Sequence, residues 1–162
     1  MPNSLTEIEG RIAEYAARYS CATENCLGFG YDGLVISTNR QSAIKGFRYQ
    51  LLHDRERDVY QRLAELGIFK VRGFNVPRLL RFDYELQCVE MTIVRPPFVL
   101  DFAGAYLDFP PEYATDVLAN WREEKAEQFG DNWPEVQRIM REFAAMGIFL
   151  ADVKPGNIEF AK

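Results

Sequence analysis

Apolar positions recur along this chain at two spacings, one typical of helices and one typical of strands. Over 47–66 the apolar residues return every three or four positions, and Gly67 follows them as a helix stop signal. A similar spacing over 5–19 predicts another helix, with Ser4 or Thr6 as its N-cap. Each of these helices should bury one apolar face.

Short runs rich in β-branched and apolar residues predict strands around the second helix. The run 34–38 is followed at once by a turn, and the runs 76–82 and 86–94 are separated by three turn-like residues. The first part of the chain is therefore expected to combine two helices with several short strands.

Two consecutive prolines, Pro96 and Pro97, end the strand pattern because neither can continue a strand or a helix. They divide the chain into an N-terminal region, 1–95, and a C-terminal region, 96–162. The second region is helical in pattern, with two apolar stripes on either side of a break at 131–134. The stripes consist of Tyr113, Val117 and Trp121, and of Val136, Met140 and Phe143.

Glycines Gly28, Gly30 and Gly33 follow the spacing G-x-G-x-x-G, with Val35 just after them and Lys45 ten residues further on. Glycine permits positive φ in a turn and lets backbone amides approach an anionic ligand where a Cβ would collide. In a dinucleotide-binding fold a helix follows the third glycine, whereas here a β-branched run follows it. The glycines therefore lie between two strands, either as a phosphate-covering loop or as a plain structural hairpin.

A second segment with candidate chemistry, 152–157, reads Asp-Val-Lys-Pro-Gly-Asn and follows the apolar run 148–150. Together with the glycine-rich hairpin and its lysine, it resembles the protein-kinase-like superfamily. The resemblance implies that Asp152 accepts the substrate hydroxyl proton, that Lys154 steadies the transferred phosphate and that Asn157 holds a magnesium ion. The alternative is a surface turn, since these are the usual turn residues.

Glu56 falls on the inward face of the helix predicted over 47–66, because it lies four residues after Leu52 and three before Val59. A buried carboxylate costs several kcal/mol unless it is paired, so Lys45 is the expected partner. The alternative is a carboxylate at the margin of the stripe that reaches water. In the kinase-like superfamily such a pair positions the α- and β-phosphates of ATP.

The same resemblance implies an α+β fold, with an N-lobe of about five antiparallel strands plus a helix and a short helical C-lobe. ATP and Mg²⁺ are the implied ligands. Residues from Glu90 to Ile93 would supply the hinge that binds adenine, with Met91 or Val89 limiting the pocket. The implied nucleotide-binding residues are Gly28, Gly30, Gly33, Val35, Lys45, Glu56, Glu90 and Met91.

Departures from the kinase-like pattern predict weak or absent phosphotransfer. The chain ends five residues after Asn157, before the segment expected to carry the Asp-Phe-Gly magnesium ligand. Leu150 and Ala151 stand where His and Arg usually precede the catalytic aspartate. Glu159 stands where an apolar side chain usually lies beneath adenine, unless Phe160 takes that place.

Three classes of function remain open. The leading one is a minimal kinase-like nucleotide-binding protein, and the others are an active phosphotransferase completed by a partner or oligomer and a non-catalytic interaction module. The helix over 136–150 would lack the covering helices of a full C-lobe. The helix over 5–19 could fold back over it, and the helix around Tyr113 and Trp121 could supply another wall; otherwise a second copy must cover it, and a two-fold dimer is expected.

Composition and charge exclude several other classes. The chain is 48% hydrophobic and 14% aromatic, too apolar for a disordered tail. No apolar run approaches the roughly 18 residues needed to span a bilayer. Residues 40–81 carry ten Lys/Arg against four Asp/Glu, which suits a nucleotide, yet the net charge of −5 argues against nucleic acid. We expect a cytoplasmic protein with neither membrane nor nucleic-acid partners.

Cysteine and histidine are too few for a metal cluster or a Ser-His-Asp or Cys-His catalytic centre. Cys21, Cys26 and Cys88 lack metal-ligand spacing and are expected to be reduced thiols. His53 is the sole histidine, so the composition argues against a zinc site.

Overall fold

The computed structural model describes residues 3–162, which belong to two compact units. Unit 1 comprises Met1–Gly67 and Pro77–Val94, and unit 2 comprises Ile68–Val76 and Arg95–Lys162. The chain thus enters unit 2 at 68–76, returns to unit 1, and enters unit 2 again at Arg95. The predicted N-terminal region, 1–95, therefore includes one segment, 68–76, that belongs to unit 2.

Four α-helices and eleven short strands make up the described chain. The helices are α1 (Leu5–Arg18), α2 (Gln50–Glu65), α3 (Thr115–Phe129) and α4 (Trp133–Ala145). The strands are β1 (Thr23–Phe29), β2 (Gly33–Thr38), β3 (Ser42–Phe47), β4 (Lys70–Val71), β5 (Phe74–Asn75), β6 (Leu79–Asp83), β7 (Cys88–Thr92), β8 (Phe98–Val99), β9 (Tyr106–Leu107), β10 (Ile148–Phe149) and β11 (Ile158–Glu159). Within residues 3–162, no helix is long and apolar enough to cross a membrane.

Unit 1 holds a five-stranded antiparallel sheet with the strand order β1-β2-β3-β7-β6. The glycine-rich segment joins β1 to β2 as a hairpin, with Phe29 opposite Leu34, so the predicted strand-to-strand connection is confirmed. β3 lies at the centre of the sheet, between β2 and β7. The α+β class predicted from the sequence is confirmed by this combination of sheet and helices.

The two helices of unit 1 contact opposite faces of the sheet. Neighbouring side chains of a strand project to opposite sides, so β3 presents alternate residues to each helix. Ile44 and Gly46 of β3 face α1, and Gly46 lets the helix approach closely, since an added Cβ would lie 2.8 Å from the Ile12 side chain. Lys45 and Phe47 take the other face, where Lys45 meets α2. One strand therefore contributes both to an apolar core and to a polar site.

The N-terminal helix is capped as predicted, with the Ser4 hydroxyl accepting a hydrogen bond from the Glu7 amide at 3.3 Å. Its buried residues Ile8, Ile12 and Tyr15 pack into the core of unit 1. The helix over 5–19 is thus engaged by the sheet of unit 1, and the suggestion that it covers the 136–150 helix is wrong.

Unit 2 contains a four-stranded sheet in the order β11-β8-β5-β4 and a separate pair, β9 with β10. β5 pairs in parallel with β8 through Asn75 and Phe98, and the Asn75 amide donates to the Pro97 carbonyl at 2.9 Å. These pairings hold 68–76 in unit 2, although that segment lies well before the two prolines in sequence.

Helix α3 buries fewer apolar residues than the sequence pattern predicts. Tyr113 precedes the helix, and both Tyr113 and Val117 are exposed, so the predicted apolar face is wrong at these positions. Trp121 does pack within unit 2, edge-on to Trp133 with ring centroids 6.2 Å apart. Phe129, at the end of α3, stacks on the same Trp133 ring.

Helix α4 buries its apolar face completely within a single chain. Val136, Ile139 and Phe143 have no exposed surface, and the Phe143 ring lies 5.7 Å from that of Phe102. Ile139 takes the core position that the sequence pattern assigned to Met140, which is only partly buried. The expectation of an uncovered apolar stripe over 136–150 is therefore wrong, and with it the reason for expecting a dimer through this helix.

Candidate functional site

The most distinctive polar feature of unit 1 is a buried ion pair between β3 and α2. The Lys45 ammonium lies 2.8 Å from Glu56 Oε1, and the two side chains are only 7% and 2% exposed. Lys45 sits between Val35 of β2 and Val89 of β7, at the centre of the sheet. The pair predicted from the spacing of Glu56 is confirmed.

Apolar packing on α2 explains why Glu56 is held inward. Val59, Tyr60 and Leu63 follow it on the buried side of the helix, and the Tyr60 hydroxyl lies 3.3 Å from the Met91 sulfur. The Lys45 ammonium also lies 5.0 Å from the centre of the Phe47 ring. The charged groups are therefore fixed by their apolar neighbours as well as by each other.

Only one of the three glycines in the hairpin is required by the fold. Gly33 has φ of 155°, and a Cβ at this position would lie 1.9 Å from the Gly46 carbonyl oxygen. Gly28 and Gly30 have no positive φ, and a Cβ added to either would meet no atom within 4 Å. The positive φ predicted for the turn thus occurs at Gly33 alone, and the chain itself does not explain the other two glycines.

Glu90 and Met91, both predicted near adenine, lie on opposite faces of β7. The Glu90 carboxylate accepts hydrogen bonds from Tyr15 at 2.9 Å and from Ser42 at 2.7 Å, on the face covered by α1. The backbone of β7 pairs with β3 on one side and β6 on the other. Residues whose backbone amides could face a ligand therefore begin after Thr92, at Ile93.

The hydrogen bonds around Glu90 form a buried chain that sequence patterns do not reveal. Thr38 Oγ1 lies 2.6 Å from Ser42 Oγ, which donates to Glu90, while Tyr15 donates to the other carboxylate oxygen. Burial, together with the neighbouring Glu90 carboxylate, raises the pKa of the Tyr15 hydroxyl. The one signal in the sequence is that a phenol occupies an inward position of α1 and needs a buried partner.

The candidate catalytic residues of unit 2 lie in one loop between β10 and β11. Asn157 is buried, and its Nδ2 donates to the Asp152 carbonyl at 2.9 Å. The Asn157 amide donates to the Lys154 carbonyl, and the Leu100 amide donates to the Asn157 carbonyl. The segment 152–157 is thus a closed loop, with the three predicted side chains on it.

Within this loop the charged groups reach solvent. The Lys154 ammonium lies 3.7 Å from Asp152 Oδ2, with side chains that are 55% and 36% exposed. Val153, between them, is buried and anchors the loop. Because Asn157 donates through its amide nitrogen, Oδ1 is the atom that this side chain could offer to a cation.

The residues that follow the loop form part of the sheet of unit 2. Glu159 pairs with Phe98 in β11 and is partly buried. Phe160 packs edge-on against Phe74, with ring centroids 5.0 Å apart. Phe160 thus has an apolar partner within its own unit.

Comparison of the chain with protein-family models, with curated proteins and with solved structures gives no significant match. The site residues divide between the two units. Lys45, Glu56 and the glycines belong to unit 1, and Asp152, Lys154 and Asn157 belong to unit 2. Their chemistry has to be argued from the geometry of each unit.

Proposed function

We propose that this protein is a minimal kinase-like domain that binds an adenine nucleotide, with weak or absent phosphotransfer. The observation that carries the proposal is the buried pair of Lys45 and Glu56 on the central strand and the adjoining helix of unit 1. The helix lies in sequence between the third and fourth strands of a five-stranded antiparallel sheet, which agrees with the N-lobe that the sequence resemblance implies.

The energetics of the pair support a role beyond stability. Removing both charges from water costs several kcal/mol per ion, and a well-packed apolar pair would often be as stable. An ammonium held rigidly by a carboxylate is, however, well suited to bind phosphate oxygens, because its position is fixed before the ligand arrives. Lys45 is the residue to which we assign that contact.

The glycine-rich hairpin supports the same assignment. A Cβ added to Gly28 or Gly30 would meet no atom within 4 Å, so the packing of the chain does not require glycine at these positions. Backbone amides without side chains can approach phosphate oxygens closely. We assign the hairpin as the segment that lies over the phosphates, with Val35 on the strand that leaves it.

The loop of unit 2 supplies the residues for a slow reaction. Asp152 and Asn157 offer the oxygen donors that Mg²⁺ prefers, so the residue types fit the ion. Bound Mg²⁺ would supply positive charge at this loop. Asp152 would accept the proton of an acceptor hydroxyl, and Lys154 would hold a phosphate oxygen. Because the Lys154 side chain is exposed and only loosely paired with Asp152, this loop provides weak electrostatic stabilisation.

Calorimetric titration with MgATP and MgADP, beside thermal denaturation, tests the binding proposal. We expect saturable binding tighter than about 1 mM and a rise in melting temperature with nucleotide. The double variant Lys45→Met/Glu56→Gln removes both charges of the pair together and should weaken binding at least about tenfold, or 1.4 kcal/mol. Lys70→Ala removes an exposed lysine of unit 2 and should bind like the unchanged chain.

The outcomes separate the three classes of function. Binding without turnover supports the nucleotide-binding protein, and turnover far below roughly 1–100 s⁻¹ that disappears in Asp152→Asn is consistent with it. Rapid, Asp152-dependent turnover would identify an active phosphotransferase. Absence of any response to millimolar nucleotide would leave the interaction module as the better account.

A further inference from the structure

Residues 109–113 lie between β9 and α3 and are exposed, except for Pro111, which is partly buried. Their sequence is Phe-Pro-Pro-Glu-Tyr. Phe109 is 79% exposed and Tyr113 is 58% exposed. Among the described residues, 109–113 take part in no hydrogen bond, ion pair or ring contact.

The backbone of this segment is set up for a polyproline II helix. Pro110 and Pro111 each fix φ near −65°, and a residue that precedes proline favours extended geometry. Ala114, at the end of the segment, has φ of −59° and ψ of 146°, close to the ideal values of a polyproline II helix. Because such a helix has about three residues per turn, Pro110 and Tyr113 would share one face.

Both ends of the segment are fixed by regular structure. Tyr106 and Leu107 pair with β10, and Thr115 begins the 15-residue helix α3. A short extended ligand that is held at both ends loses little conformational entropy when it binds. The segment is therefore presented in a conformation that a partner can bind directly.

We propose that residues 109–113 are a docking site for a small proline-recognition domain of the WW class. Such domains bind polyproline II segments in grooves lined with aromatic residues. Here the two prolines would fill the groove, and Tyr113 would add an amphipathic ring whose hydroxyl can donate a hydrogen bond. This inference is independent of the proposed nucleotide site.

Sequence spacing and charge narrow the choice of partner. SH3 domains bind segments with prolines at P-x-x-P spacing. Three residues after Pro110 stands Tyr113, and three after Pro111 stands Ala114, so that spacing is absent here. Residues 108–135 carry eight acidic and two basic residues, so a groove with a basic rim is the better electrostatic match.

The test is a titration of an isotope-labelled WW domain that accepts Pro-Pro-x-Tyr ligands with the full chain, followed by NMR. We expect saturable shifts at the aromatic groove and a Kd tighter than about 1 mM. Tyr113→Ala and Pro111→Ala should each weaken binding at least about tenfold. Val117→Ala, which alters an exposed residue of α3 just outside the segment, should leave the affinity unchanged.

An SH3 domain serves as the matched control domain and should show no saturable shift. The substituted side chains make no polar contact, so circular dichroism should show the variants folded and make any loss of binding specific to the segment. The proposal is overturned if the WW domain does not bind at millimolar concentration. It is equally overturned if Tyr113→Ala binds as tightly as the unchanged chain.

Discussion

In unit 1 the Lys45 ammonium lies 2.8 Å from Glu56 with both side chains buried, whereas in unit 2 the Lys154 ammonium lies 3.7 Å from Asp152 with both side chains reaching solvent. Both pairs join a lysine to a carboxylate. Water screens the charges of the exposed pair in unit 2 and is excluded from the buried pair in unit 1. Charges in the interior interact strongly and are costly to separate, while exposed pairs contribute about 0–1 kcal/mol.

Under the proposed function, this difference gives the two pairs different roles. The buried pair is fixed in place before any ligand binds, so the proposal gives it the positioning of phosphate oxygens. The exposed pair is adjustable, which suits groups that meet an incoming substrate but provides little electrostatic stabilisation of a reaction. A protein with this combination should bind nucleotide better than it turns nucleotide over.

Breaking the buried pair should produce the largest loss of stability. Lys45→Ala leaves the Glu56 carboxylate without its lysine in the interior, and we expect a loss of about 3–5 kcal/mol. Urea denaturation measures this directly. Lys45→Met/Glu56→Gln should recover much of the loss, because neither charge remains, and equal instability of the single and double variants would contradict the account.

Substitution of the glycines should separate structural from ligand-binding roles. Gly33→Ala places a Cβ 1.9 Å from the Gly46 carbonyl oxygen, so we expect a loss of about 1–3 kcal/mol from steric overlap and backbone strain. Gly30→Ala meets no atom and should change stability by less than about 0.5 kcal/mol. If nucleotide binding is also measured, Gly30→Ala should weaken it without unfolding the chain.

Acid should weaken unit 1 through Asp83. Burial alone would raise the pKa of this carboxyl, but hydrogen bonds from the Leu86 amide, the Tyr19 hydroxyl and the Arg18 guanidinium hold it below its usual value. A lowered folded-state pKa stabilises the fold above the unfolded value of about 3.9, and this contribution is lost as pH falls through the folded value.

Denaturation of the unchanged chain and of Asp83→Asn from pH 7 to pH 2 tests that linkage. The variant should be less stable at neutral pH, and the difference should narrow below about pH 4 as the native carboxyl takes up its proton. A difference that stays constant across this range would show that Asp83 acts by packing alone.

Breaking the exposed pair should have the smallest effect on stability. Lys154→Ala removes a side chain that is 55% exposed, and we expect a change within about 0.5 kcal/mol. Thermal denaturation of this variant beside Lys45→Ala places the two pairs on one scale. A loss from Lys154→Ala as large as that from Lys45→Ala would remove the distinction between them.

Local patterns predict much of unit 1 because its elements are long enough to show their periods. Helix α2 has the expected helical spacing, and the glycines and β-branched residues define the hairpin. The pairing of Lys45 with Glu56 follows from the cost of burying a carboxylate, which is a local argument about a helix face. These features need no knowledge of distant contacts.

What the sequence does not reveal depends on pairings between distant residues. The segment 68–76 lies in unit 2 through strands of two residues, too short to show any period. Glu90 is held by Tyr15, 75 residues away, so neither residue alone indicates the contact. The predicted apolar face of α3 is wrong because Tyr113 precedes the helix and Val117 is exposed. Both outcomes depend on where the helix begins and how it packs.

Labelling with an adenosine nucleotide acyl phosphate tests the central claim most directly, since a lysine amine near the phosphates takes up the acyl group and releases the nucleotide. Peptide mass spectrometry should find Lys45 modified in preference to the exposed Lys70 and Lys162, with excess ATP suppressing the modification. Labelling confined to the exposed lysines, and unaffected by ATP, would contradict a nucleotide site at Lys45.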